Sequence, residues 1–125
     1  MNKRNILLCA IVFGLLAGTV LAEPAFFPRR PAISPDGSTV IFSFQGDLWT
    51  VSAEGGRATR LTAHPAYDRN AVFSPDGASI VFASDRYDTY NLFTMPATGG
   101  TPERLTWISV PNIPQAWTQD GRILY

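Results

Sequence analysis

Only one imidazole is available in the chain, His64, and it stands just before Pro65 in the segment Arg60-Leu61-Thr62-Ala63-His64-Pro65. A hydrolytic triad needs a nucleophile, a base and an orienting acid within mutual reach. No such set is arranged around His64, so it reads as an ordinary loop residue and no catalytic residue is assigned. Asp85 and Asp88, with Asn91 nearby, offer the carboxylate and amide oxygens that calcium takes. Their spacing is not that of an EF-hand loop, and acids commonly solvate a polar hairpin. Neither a metal nor a cofactor is expected. The lone Cys9 leaves no disulfide and no zinc cluster of Cys and His. What remains is a binding chemistry: Tyr67, Asp68, Arg69, Arg86 and Tyr87 bring aromatic and charged groups into loop segments, and they are the expected partner surface for a peptide or protein.

The elements that must position these groups follow from a repeat. Ala32–Thr62 aligns with Val72–Thr106 when Asp85–Asp88 is treated as an insertion, and 13 of 31 positions are identical. The shared residues include Ser34-Pro35-Asp36-Gly37 with Ser74-Pro75-Asp76-Gly77, and Arg60-Leu61-Thr62 with Arg104-Leu105-Thr106. Asp120-Gly121 repeats the turn a third time, with aspartate spacings of 40 and then 44 residues. A period of ~40–45 residues built from short strands is the signature of propeller blades. Ten Gly and ten Pro in 125 residues suit turns and would break helical repeats of similar period.

Each unit reads as four short strands. In the first, Pro31–Ser34 leads into the Ser-Pro-Asp-Gly turn, Thr39–Phe44 and Leu48–Val51 follow, and Ala58–Leu61 lies outermost. Thr39–Phe44 and its counterpart Ser79–Ser84 are apolar on both faces, as a blade between two neighbours requires. Trp49 and Phe93, like Phe42 and Phe82, hold equivalent positions and read as core anchors. The loops at Gln45–Asp47, His64–Asn70 and Asp85–Tyr90 share one end of the blades, and binding residues concentrate on such loops. The tight turns at Pro35–Gly37 and Gly55–Gly56 share the other end.

The fold expected is all-β: an incomplete β-propeller of two four-stranded blades, 31–62 and 71–106, plus the first hairpin of a third, 115–125. Residues 1–22 read as a cleaved signal peptide. Lys3 and Arg4 form its basic start, the apolar run begins at Ile6, and Val20-Leu21-Ala22 forms the cleavage pattern. Residues 23–30 are a short linker to the propeller segment, 31–125. Export places the protein in the periplasm or outside the cell, with no membrane span left after cleavage. The mature part keeps eight arginines against ten acids, which supplies no basic footprint for nucleic acid. Since the third unit holds only an opening hairpin, and closed propellers have ~4–8 blades, the chain is expected to be a piece of a longer one whose further blades and domains are its partners.

The Ser-Pro-Asp-Gly repeats resemble those of TolB-like propellers. Phe44-Gln45-Gly46-Asp47-Leu48-Trp49, Arg60–Asp68, Phe73–Gly77 and Ser84-Asp85-Arg86-Tyr87 are more similar to the amino-terminal propeller of bacterial tricorn-type serine proteases. That resemblance implies a non-catalytic scaffold or peptide-access module, in a parent peptidase whose catalytic domain lies elsewhere. A TolB-like periplasmic binding propeller is the alternative, although TolB places an α/β domain before its blades. The propeller of a prolyl-oligopeptidase-type hydrolase is another; its Gly-x-Ser-x-Gly elbow does not occur in this chain.

Overall fold

The computed structural model describes residues 27–125. The signal peptide expected at 1–22, and the first half of the 23–30 linker, lie outside the described residues. Within them the chain is all-β. Strands β1 (Arg29–Ile33), β2 (Thr39–Phe44), β3 (Asp47–Ser52) and β4 (Thr59–Arg60) form one antiparallel sheet in sequence order. A second sheet repeats the pattern with β5 (Asp68–Phe73), β6 (Ser79–Tyr87), β7 (Thr89–Pro96) and β8 (Glu103–Arg104). A hairpin of β9 (Ala116–Trp117) and β10 (Ile123–Leu124) follows. The sheets stack as successive blades and do not close into a ring. Among the described residues no helix is long and apolar enough to cross a membrane.

The Ser-Pro-Asp-Gly turn is built by its own side chains. Ser34 Oγ accepts from Thr39 N at 3.0 Å and donates to Asp36 Oδ1 at 2.5 Å, while Ser38 N donates to that carboxylate at 3.1 Å. Gly37 closes the turn at φ +74°, a left-handed conformation that costs glycine little. Ser74, Asp76 and Ala78 repeat the arrangement. Thr118 and Asp120 form the third copy, with a threonine hydroxyl in place of serine. At the opposite end Gln45 and Gly46 both have positive φ, as a two-residue hairpin turn of primed type requires.

The core lies between the blades. One face of the first carries Ile41 and Leu48, both fully buried, against Ile80, Phe82, Phe93 and Met95 of the second. Phe82 and Phe93 pair across β6 and β7 with ring centroids 5.9 Å apart. The other face of β6, Val81 and Ala83, is equally buried. Strand alternation thus covers both faces of the second blade, as its apolar run predicts.

Three differences from the sequence reading have physical causes. Each blade's first strand begins early, β1 at Arg29 and β5 at Asp68 inside the segment expected as the His64–Asn70 loop, because bulges between Arg29 and Ala32 and between Arg69 and Val72 let the pairing continue. The outer strand shortens to Thr59–Arg60 because the amides of Leu61 and Thr62 both turn to Leu48 O, which ends the ladder. The insertion Asp85–Asp88 is no separate loop: β6 runs on to Tyr87, through a register shift after Ser84, and pairs with Thr89.

Candidate functional site

Polar groups at the loop end of each blade are spent first on closing it. Asp47 begins β3 and is buried; its Oδ1 accepts from Thr62 Oγ1 and His64 N, both at 3.4 Å. Arg60 bridges Asp47 Oδ2 at 2.5 Å and donates through Nε to Thr62 O. Thr62 Oγ1 in turn accepts Leu48 N at 3.0 Å. The second blade reproduces this clamp with an amide in place of the carboxylate. Asn91 Oδ1 accepts Thr106 Oγ1 at 3.0 Å and Ile108 N at 3.2 Å, and Thr106 Oγ1 accepts Leu92 N at 2.9 Å. Arg104 keeps the bond to Thr106 O but, facing a neutral amide, lays its guanidinium 4.4 Å from the Tyr87 ring centre.

Hydrogen bonds occupy His64, Asp85 and Asn91 among the residues considered for chemistry. His64 Nδ1 accepts Ala66 N at 3.0 Å, which caps its own loop. Asp85 Oδ1 accepts Tyr67 N at 2.7 Å, Asn91 is committed to its clamp, and Asp88 sits at the hairpin tip with φ +71°. No three His, Cys, Asp or Glu side chains converge among the described residues.

The five residues expected to form one partner surface separate into three groups. Asp68 is fully buried, and Arg86, reaching over from the extended β6, pairs with its Oδ2 at 2.8 Å. The Arg86 side chain is only 13 % exposed, and its guanidinium also lies 5.3 Å from the Phe93 ring centre. Asp68 is therefore no surface group; it and Arg86 form an internal ion pair. Tyr67 and Tyr87 are exposed, and Tyr87 stacks on Phe93 with its centroid 6.3 Å away. Arg69 points elsewhere, its guanidinium 3.9 Å from the centre of the Tyr90 ring.

That last contact opens onto a site the motif reading missed. Arg29, Arg30, Ser43, Tyr67, Arg69 and Tyr90 line a recess of about 190 Å³ at the loop end, where the inner strands β1 and β5 lie side by side. The signal for it was available, because the 40-residue offset that aligns the turns also aligns Arg29 with Arg69. At the turn end a wider groove of about 580 Å³ runs between the blades, past Asp36, Asp76, Leu61 and Phe73. The Asp36 carboxyl there is lowered from 3.8 to about 2, chiefly by the Ser34 hydroxyl and then by the Ser38 amide and hydroxyl. Asp76 is lowered by Ser74 in the same way. Those carboxylates hold turns together.

Consecutive four-stranded meanders, stacked face to face and marked by one turn motif, define a β-propeller repeat protein. Residues 25–125 match the tricorn protease N-terminal beta propeller domain, and the chain belongs to that family. It is 35 % identical over 106 residues to tricorn protease homolog 1 of Streptomyces coelicolor, covering 82 % of this chain and 10 % of that protein. Tricorn protease of Thermoplasma volcanium is 27 % identical over 103 residues, or 73 % of this chain and 10 % of its own length. The chain thus spans about a tenth of these relatives. Among solved structures, a protein assigned as TolB from Agrobacterium tumefaciens superposes with a TM-score of 0.68 at 27 % identity, over 76 % of this chain and 35 % of that one. The crystal structure of the tricorn protease gives 0.65 at 24 % identity, over 77 % and 10 %, a likeness of fold.

Proposed function

We propose that the chain is a non-catalytic propeller segment of an exported tricorn-type serine peptidase, serving as a scaffold and peptide-access module. The observation that carries this reading is where the polar side chains are spent. Asp47, Arg60, Thr62, Asn91 and Thr106 hold blades shut, and His64 caps a loop, so the groups suited to hydrolysis are bound into the frame. Export rests on the basic start, apolar run and Val20-Leu21-Ala22 pattern of the first 22 residues. A TolB-like binding propeller is the second reading, favoured by the superposition on the Agrobacterium protein.

The decisive experiment reads the gene beyond the Tyr125 codon and recovers the product from the producing cell. Further blades followed by PDZ and serine-peptidase segments support the peptidase reading; blades followed by a stop favour the TolB-like one. The recovered protein should begin at Glu23, and the purified chain should leave unstructured peptides whole. An intact Met1 terminus on cytoplasmic protein overturns export. Peptide cleavage that vanishes in His64→Ala overturns the non-catalytic role.

A further inference from the structure

We infer that the recess between β1 and β5 is a binding site for a carboxylate, of the kind an acidic side chain carries within an extended peptide. Three observations meet there. First, its charge is one-sided. Arg29, Arg30 and Arg69 all line it, no acidic residue does, and none of the three makes an ion pair among the described residues. The other acids of this end lie outside its lining: Asp47 pairs with Arg60, Asp68 pairs with Arg86, Asp85 accepts Tyr67 N, and Asp88 sits at the hairpin tip.

Second, hydrogen-bonding groups are left over inside it. Ser43 is 5 % exposed and its Oγ has no partner, and Arg69 Nε is buried and equally unpaired. Buried donors are nearly always satisfied, and an unsatisfied one calls for a ligand or water. Asp68 and Asn70 also keep an unpaired buried oxygen, but neither residue lines the recess. The Arg69 guanidinium is stacked on Tyr90, so that face is covered and the in-plane N–H edge is what it offers. An edge with a free Nε–H suits a planar two-oxygen acceptor held side-on. The space, about 190 Å³, admits such a group with the methylenes behind it.

Third, the backbone is bent to build it. β1 and β5 each carry a bulge immediately after the arginine that lines the recess. The bulges place Arg30 at φ +52° and Asn70 at φ +56°, left-handed conformations that side chains rarely take. Two such residues at repeat-equivalent positions are a recurrent strain, of the sort that persists around binding sites.

That the recess takes a carboxylate stands on its own; that the carboxylate is carried on a peptide rests on the peptide-access reading. The test titrates the purified chain with a hexaglutamate peptide capped at both ends, a capped hexaglutamine peptide, sodium acetate and inorganic phosphate. The readouts are calorimetry and the Arg69 Nε–H resonance. Hexaglutamate should shift that resonance and hexaglutamine should not, and added salt should weaken the binding. Arg69→Gln should raise the dissociation constant at least tenfold. The double variant Arg29→Gln/Arg30→Gln, altering two exposed residues and sparing the Tyr90 stack, should do the same if Arg69→Gln fails to fold. Acetate shifting the resonance while hexaglutamate does not supports the recess and overturns only the peptide-access reading. Equal binding of the two peptides, unchanged affinity in the arginine variants, or a response to phosphate alone overturns the carboxylate site.

Discussion

Thr106→Val tests whether the clamp that closes each blade is energetic or merely decorative. The substitution keeps the shape and removes one hydroxyl. That hydroxyl accepts Leu92 N at 2.9 Å and donates to Asn91 Oδ1 at 3.0 Å. Leu92 is 1 % exposed and Asn91 fully buried, so water is not at hand to replace either bond. Leaving the Leu92 amide unsatisfied costs about 1–3 kcal/mol, and the lost donor to Asn91 adds roughly 0.5–1.5 kcal/mol. Asn91 keeps Ile108 N, which holds the second figure low. A loss of about 1.5–3.5 kcal/mol is expected, against a typical domain stability of ~5–15 kcal/mol. Urea unfolding followed by tryptophan fluorescence measures the loss, and hydrogen exchange at the Leu92 amide locates it. Thr62→Val should cost less, since its bond to Asp47 is longer at 3.4 Å. A change under 0.5 kcal/mol with Leu92 exchange unaltered would refute the reasoning.

Asp68→Ala should cost about 3–5 kcal/mol in the same urea assay, because it strands the 13 %-exposed Arg86 beside an empty site, whereas Asp68→Leu with Arg86→Met should recover most of the loss; a single-variant loss below 1 kcal/mol would contradict the buried pair. Acid should loosen the Ser-Pro-Asp-Gly turns. The folded pKa of Asp36 lies at about 2, below its ordinary 3.8, so its ionised form favours the folded state. That contribution is present above about pH 4 and is lost as pH falls through 2. A melting-temperature profile over that window should be shallower in Asp36→Asn than in the parent, and parallel profiles would count against the turn.

The blade architecture was legible because its carriers are local and repeated. Ser34–Gly37 makes the same side-chain bonds as Ser74–Gly77, so one turn chemistry announces two strands each time. Thr39–Phe44 is apolar on both faces and ran to the expected limits. Asp85–Tyr87 read as loop because its residues are polar, and polarity stands in for exposure in sequence reasoning. Here it marks an interior pairing instead, since Arg86 finds Asp68 18 positions back, on a different strand. No pattern within either strand contains that partnership. The burial of Asp68, and with it the division of the expected surface, therefore needed the fold. The clamp was half visible: Arg60-Leu61-Thr62 and Arg104-Leu105-Thr106 recur as a string, but the exchange of Asp47 for Asn91 hides their common partner.

The links between blades are placed unevenly. At the loop end Asp68 N donates to Gly46 O at 2.7 Å and Asn112 N to Tyr90 O at 2.8 Å, each bond crossing from one sheet to the segment that starts the next. At the turn end, the backbone hydrogen bonds of Ser34–Gly37 and Ser74–Gly77 stay within their own blades, and the space between is the 580 Å³ groove. The assembly is bound like pages along a spine. Motion of one blade against the next then has a preferred axis: rotation about the stitched end leaves the clamps untouched and widens the groove at the free end. Slow fluctuations should therefore concentrate around Asp36 and Asp76, while the rim carrying Arg29 and Arg69 keeps its spacing as the blades fan.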